Sequence, residues 1–160
     1  MTATASSPKI RRLDYSAASP QGFRAMLNLE QHVSSSGLDS RLLHLVKLRA
    51  SQINGCAYCI DMHSKDALAE GESDQRLHGL VAWRETPYYS ERERAALEWV
   101  EALTLVHERP VDDDLFSRLS SEFGPVALTD LTLAVVAING WNRLAIAFGV
   151  VPGSYRRAEG

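Results

Sequence analysis

The stretch LVKLRASQINGCAYCIDMHSKDALAEGE, residues 45–72, carries the signals that divide this part of the chain into two helices, and it holds both cysteines. The apolar residues of its first part cover one broad face at helical spacing. Asn54-Gly55 is a helix-stop signal, because glycine readily takes the left-handed conformation that ends many helices. The pattern predicts a helix over about 40–53, followed by a second helix over about 56–70.

Start and stop signals of the same kind occur along the rest of the chain. Serine or aspartate caps precede several apolar segments, and proline or glycine follows them. The apolar run over 131–148 contains β-branched residues, but its length exceeds that of a typical strand and favours a helix. The signals predict an all-α single domain of about seven helices around one core. Besides the two above, the predicted helices cover about 19–33, 73–86, 90–107, 112–124 and 126–148.

The composition is that of an ordinary soluble globular protein, with 160 residues, 45% of them hydrophobic and 23% charged. The net charge of -3 and the scattered basic residues argue against a nucleic-acid partner. The N-terminus lacks the apolar centre of a secretory signal, and no apolar stretch is long enough to cross a bilayer uninterrupted. We therefore expect a cytoplasmic protein that is not attached to a membrane.

The cysteine pair and the histidine that follows it form a pattern that carries chemistry. In a reducing compartment, two cysteines separated by two residues are typical of a catalytic or metal-binding site rather than a structural disulfide. At about 100° per residue, Cys56, Cys59 and His63 share one helix face, and Cys59 and His63 are one turn apart. A helix N-terminus lowers the pKa of a thiol from about 8.5 and so favours the nucleophilic thiolate. His63 is the candidate base, since histidine changes charge near neutral pH.

This set of groups suits two reactions and leaves other interpretations open. A dithiol can reduce a peroxide through a sulfenic acid, or it can exchange with the disulfide of another protein. The pair could instead be inert core, or it could bind zinc together with His63. A structural zinc site has four ligands, however, and the chain has no second cysteine pair. No glycine-rich phosphate loop follows a strand, so we expect no cofactor. The other notable polar and aromatic residues are expected to be structural: Trp83, Trp99, Trp141, Asn139 and Asn142.

Residues 45–72 resemble the core motif of alkyl hydroperoxidase D-like (AhpD-like) proteins, in the carboxymuconolactone decarboxylase superfamily. The resemblance continues in AWRETPYYSERERAALEWVEALT and INGWNRLAIAF, and it covers most of residues 13–152. It implies an AhpD-like helical domain over 13–152, between a flexible arm over 1–12 and a tail over 153–160. It also implies a homo-oligomer, a trimer or hexamer or also a dimer, with thiol-dependent activity that needs neither haem nor metal.

The resemblance assigns roles to the residues of the pair. Cys59 matches the cysteine that attacks the peroxide, Cys56 the resolving cysteine, and His63 the histidine that relays the proton. The residues alone leave the order open, because the helix dipole favours Cys56 as the more acidic thiol while adjacency to His63 favours Cys59. The implied partners are a hydroperoxide or disulfide substrate and an unidentified thiol reductant protein.

Two positions depart from the family pattern. The family glutamate twelve residues before the first cysteine is His44 here, which carries no negative charge to stabilise an imidazolium. The position between the cysteines that is histidine in other members is Tyr58, a hydrogen-bond donor but a poor base because its pKa is about 10. The departures predict weak peroxidase activity, which His44→Glu should raise.

Two functions other than a redox enzyme stay open at this point. The first is a lyase of the carboxymuconolactone decarboxylase type, with His63 as general base and the cysteines incidental. The second is a non-catalytic helical assembly protein. This alternative stays because the proton relay departs from the family pattern. Only the redox function predicts a reversible loss of two free thiols on addition of peroxide.

Overall fold

The computed structural model describes residues 12–108 and 110–157. No strand occurs in these two ranges, so the prediction of an all-α fold of about seven helices is confirmed. The predicted arm, except Arg12, and the last three residues of the predicted tail lie outside the described part. The α-helices are α1 (Tyr15–Ala18), α2 (Pro20–Ser34), α3 (Ser40–Asn54), α4 (Ala57–Ala69), α5 (Asp74–Gly79), α6 (Glu91–Thr104) and α7 (Asp113–Phe148).

Helix α3 lies at the centre and packs against α4, α6 and α7. Asp39 caps its start by accepting a hydrogen bond from the Arg41 backbone N–H at 2.8 Å. Gly55 ends it with φ 68°, a conformation that favours glycine. The N–H of Cys56 then donates to the Ser51 carbonyl at 3.0 Å, and the chain turns so that α4 packs back on α3. The stop signal thus places the cysteines against the central helix.

Helix α7 supplies much of the core and breaks where the sequence predicts. Gly124 has φ 72° and ψ 169° inside it, and Pro125 follows. The segment after the break is helical, so the apolar run is a helix and not a strand. By length and apolar composition α7 could cross a membrane, but one such helix is weak evidence, since the core helix of a soluble protein has the same properties. Here 44% of its apolar window is buried inside the structure.

The structure differs from the predicted helices in three places. The short α1, which Asp14 caps, was not expected. The helix predicted over 73–86 ends at Gly79 and continues as a 3-10 helix over Leu80–Glu85. The Arg94 guanidinium donates hydrogen bonds to the carbonyls of 83, 84 and 86 at the end of this segment. Helix α6 ends at Thr104 instead of near His107.

Both ends of the described chain are tied to the helical body. The Arg12 N–H donates to the Phe148 carbonyl at 2.8 Å. In the predicted tail, the Tyr155 hydroxyl donates to Asp66 at 2.8 Å, and Lys65 donates to the Tyr155 carbonyl at 3.4 Å. The described part of the tail therefore lies along α4 and next to the residues of the candidate site.

Candidate functional site

The two cysteines lie side by side at the start of α4. Cys56 is the N-cap residue and so precedes the helix that was predicted to begin with it, while Cys59 lies in the first turn. Both are free thiols, only 1% and 2% exposed. Their sulfur atoms are 2.8 Å apart, beyond the bond length of about 2.05 Å in a disulfide but within hydrogen-bond distance. The pair is therefore placed so that a single proton can be shared between the two sulfurs.

The environment separates the acidities of the two thiols. The pKa of Cys56 is lowered to about 7, mainly by its hydrogen bond with Cys59. Burial acts to raise this pKa, whereas hydrogen bonds with the backbone and with Asn142 help to lower it. The same hydrogen bond, burial and the charge of Cys56 raise the pKa of Cys59. The negative charge of the pair at neutral pH therefore lies on Cys56, at the N-terminus of α4.

A network of amides and hydroxyls supports the sulfurs from α7 and α3. Asn142, fully buried on α7, donates to the Ser51 hydroxyl at 3.0 Å and accepts from Asn54 at 2.9 Å. Asn54 also donates to Asn139 at 3.0 Å, and Asn139 donates to Thr104 at 3.1 Å. Both α7 asparagines, which were expected to be structural, are thus hydrogen-bonded, Asn142 in the core and Asn139 half-buried beside it. Asn142 has an added effect that the sequence analysis missed, because its side chain lowers the pKa of both thiols.

His63 lies one turn after Cys59, and both line a cavity of about 450 Å³. The imidazole is 6% exposed. Burial lowers the pKa of His63 to about 3, and the positive charges of Lys47 and His44 act in the same direction. His63 is therefore neutral at physiological pH. Within the described part of the chain, its Nδ1 atom has no hydrogen-bond partner.

His44, at the position of the family glutamate, also lines this cavity. Its Nε2 atom lies 3.2 Å from a carboxylate oxygen of Glu70, the residue that ends α4. The rings of His44 and His63 are 6.1 Å apart. The negative charge that the sequence lacks at position 44 is thus present on the next helix, beside His44. Spacing in the motif could not reveal it, because Glu70 is reached only through the packing of α4 on α3.

Tyr58 lies between two cavities. One is the cavity of Cys59 and His63; the other, of about 310 Å³, is lined by Cys56, Arg12 and residues after α7. Each thiol therefore borders a different cavity, and Tyr58 forms part of the wall of both. Cys56, Cys59 and His63 were expected on one helix face, but only the last two share a cavity.

Two charged side chains in the larger cavity, Glu30 and Lys47, were not identified from the sequence. Glu30 of α2 forms an ion pair with Lys47 of α3 and accepts a hydrogen bond from the Trp141 indole at 3.1 Å. The cavity wall thus carries a carboxylate and an ammonium group near His63. No motif signals Glu30, because it lies on a helix that contributes nothing to the cysteine pattern.

Comparison with known proteins places the chain in a family. The carboxymuconolactone decarboxylase family matches residues 20–102. The chain is 40% identical to the uncharacterized protein YdfG of Bacillus subtilis over 139 residues. This match covers 87% of this chain and 95% of that protein.

Two crystal structures are similar over most of the chain. A protein of unknown function from Agrobacterium tumefaciens, described as a candidate antioxidant defence protein AhpD, is 45% identical with a TM-score of 0.85 over 94% of this chain and all of that one. The AhpD core of a peroxidase-related protein from Ralstonia eutropha has a TM-score of 0.76 at 19% identity, over 87% of this chain and 74% of that one, which shows the fold alone. The chain therefore belongs to the carboxymuconolactone decarboxylase family, as an AhpD-like member.

Proposed function

We propose that this protein is a thiol-dependent oxidoreductase that reduces organic hydroperoxides with Cys56 and Cys59. The observation that carries the proposal is the pair of free thiols 2.8 Å apart, with one thiol on a cavity that it shares with a neutral imidazole. Membership in a family that includes enzymes agrees with a catalytic role.

In the first step, the Cys59 sulfur attacks the terminal oxygen of the hydroperoxide. An S–O bond forms and the O–O bond breaks, which leaves Cys59 as a sulfenic acid. Cys59 is the thiol that keeps its proton, so it needs a base, and His63 takes the proton and passes it to the leaving alkoxide. The substrate departs as an alcohol.

In the second step, the Cys56 thiolate attacks the sulfenic sulfur of Cys59. An S–S bond forms, and the hydroxide that leaves takes a proton from solvent and becomes water. Little movement is needed, because the sulfurs already lie side by side. An external dithiol then reduces the disulfide by exchange and is itself oxidised to a disulfide.

The charges around His63 make the first step slow. An imidazolium there is disfavoured by burial and by the positive charges of Lys47 and His44. The proton transfer must therefore be concerted with O–O cleavage, since the charged intermediate is costly in this environment. This agrees with the weak peroxidase activity that His44 predicts from the sequence.

Disulfide reduction is a second candidate, favoured by the lowered pKa of Cys56. A thiol whose pKa lies near ambient pH combines a large thiolate fraction with good nucleophilicity. Cys56 borders the smaller cavity, away from His63, and could attack a disulfide there without the relay. We propose that either activity takes place in the reducing cytoplasm. We also propose that the protein forms a homo-oligomer, and light scattering after gel filtration would measure its size.

The deciding experiment is a thiol titration with mass determination, before and after one equivalent of cumene hydroperoxide. The proposal expects loss of two thiols and of two mass units, reversed by dithiothreitol. Cys56→Ser should stop at a sulfenic acid on Cys59, whereas Cys59→Ser should not react. Two unchanged thiols in the wild-type protein would refute peroxide reduction, and oxidised glutathione would then test the disulfide activity.

A further inference from the structure

Three side chains on facing helices bring metal-ligating atoms together beside the thiol pair. One ligand atom each from His44, His63 and Asp66 lies within 4.8 Å of both others. Within the described part of the chain, the Nδ1 atoms of both histidines are buried and have no hydrogen-bond partner. A buried ring nitrogen without a partner carries a desolvation cost that a bound ligand would offset.

The outer contacts of these side chains are those that hold metal ligands in place. The Nε2 atom of His44 lies 3.2 Å from Glu70, so its Nδ1 atom is the one left for an ion. Asp66 accepts a hydrogen bond from the Tyr155 hydroxyl through one oxygen, at 2.8 Å, and keeps the other oxygen for a ligand. Carboxylates and hydroxyls that orient ligands in this way are typical of metal sites.

The charges around the cluster are compatible with a cation. Asp66 and Glu70 bring two carboxylates, and Lys47, which opposes a cation near His63, is paired with Glu30. The cluster thus joins two imidazoles to carboxylate oxygens.

We propose that His44, His63 and Asp66 bind a divalent transition metal ion of the zinc type. Two imidazoles and one carboxylate are a ligand set for Zn²⁺, with a further coordination position left open. A tetrahedral ion with bonds of about 2.1 Å sets its ligand atoms about 3.4 Å apart. The present separations, up to 4.8 Å, need only small side-chain rotations to close around it. This ligand set contains no cysteine and so differs from the thiol-based zinc site that the motif alone suggests.

The site goes beyond the proposed redox function and does not depend on it. An ion bound to His63 would occupy the imidazole that the peroxide step uses. With the ion bound, His63 could not take part in the peroxide step. The metal-bound protein would therefore be the inactive form. Metal binding can be measured whether or not the thiols react with peroxide.

The test is calorimetric titration of full-length Cys56→Ser/Cys59→Ser protein with ZnCl₂, because the double substitution removes binding by thiols. We expect one equivalent to bind, and Co²⁺ to give a visible spectrum without a sulfur charge-transfer band. His44→Gln and Asp66→Asn, each added to the double variant, should weaken binding by at least about tenfold, as loss of a direct ligand costs no less than loss of its support. His107→Gln, at an exposed histidine, is the matched control and should leave the affinity unchanged.

Two milder variants keep the test meaningful if a ligand substitution unfolds the protein. Tyr155→Phe removes the hydrogen bond to Asp66, and Glu70→Gln removes the negative charge beside His44. Each should weaken binding by about tenfold. The proposal is overturned if the double-serine protein binds no zinc. It is equally overturned if folded His44→Gln protein, verified by circular dichroism, binds zinc as tightly as its parent.

Discussion

The Glu70 carboxylate lies 3.2 Å from Nε2 of His44, so a residue of α4 supplies the negative charge that is missing from the central helix. The rings of His44 and His63 are 6.1 Å apart, and the charges that shift the pKa of His63 are those of Lys47 and His44. His44 in fact lowers the pKa of His63, as a positive neighbour does. The relay therefore has a thiol, an imidazole and a carboxylate, but the Glu70 carboxylate does not act directly on His63.

The first prediction concerns His44→Glu, which should raise the rate of Cys59 oxidation by about tenfold, a partial gain that lies below the roughly 10²–10⁴-fold contributed by a complete general acid or base. The substitution removes a positive neighbour of His63 and adds a negative one. It also places a carboxylate near Glu70, so Glu70→Gln should accompany it to avoid like-charge repulsion. The measurement is stopped-flow oxidation by cumene hydroperoxide. His44→Gln is the control for loss of the histidine alone, and an unchanged or lower rate in the glutamate variant would contradict the prediction.

The second prediction is the pH dependence of the thiolate. Because the pKa of Cys56 is lowered to about 7, its thiolate is present above that pH and is lost as pH falls below it. A free thiol would titrate at about 8.5. Ultraviolet thiolate absorbance should follow this midpoint, and Cys59→Ala should move it upward because the largest cause of the lowering is removed. A midpoint that stays in place in Cys59→Ala would show that the sulfur pair does not set the acidity.

The third prediction separates Asn142 from its neighbour Asn139. Asn142→Ala should move the thiolate midpoint upward, since this side chain lowers the pKa of Cys56. It should also cost about 1–3 kcal/mol in the free energy of unfolding, as Ser51 and Asn54 lose a buried partner. Asn139→Ala, in the same network, should cost stability without moving the midpoint. If the two variants have the same thiolate midpoint, Asn142 does not set the acidity of Cys56.

The sequence predicts most of the fold because its boundaries are local signals. Gly55, Pro125 and the Ser90–Glu93 capping box act within a few residues of themselves, and the helices begin and end there. The 3-10 helix over Leu80–Glu85 was not predicted, and the carbonyls at its end are hydrogen-bonded by Arg94, a residue of the next helix. Local propensity carries no information about such a distant donor.

The same distinction applies to the candidate site. Cys56, Cys59 and His63 are found from one short motif, whereas Glu70 and Glu30 are found only from helix packing. The departure at His44 is visible in the sequence, but its meaning depends on Glu70. Spacing within a motif thus gives the reacting groups, while their charge environment is a property of the tertiary structure.

The last prediction concerns a buried charge cluster outside the site. Glu101 of α6, 5% exposed, accepts hydrogen bonds from the Trp83 indole and from Arg49, both at 2.8 Å, and from Arg84. Burial alone would raise the pKa of Glu101, but these three donors more than offset it and lower the pKa. A carboxyl group with a lowered pKa stabilises the fold above its unfolded pKa of about 4.3, and this contribution is lost as pH falls further.

Glu101→Gln should therefore cost about 3–5 kcal/mol at neutral pH, because it leaves Arg49 without its buried charge partner. The difference from wild type should shrink as pH falls below the unfolded pKa of about 4.3, since the stability linked to the lowered pKa of Glu101 is then lost. Urea unfolding across this pH range measures both effects. Glu98→Gln, at the more exposed ion pair with Arg118, is the matched control and should cost no more than about 1 kcal/mol. A difference between Glu101→Gln and wild type that stayed constant with pH would mean that the charge of Glu101 does not stabilise the packing of α6 on α3.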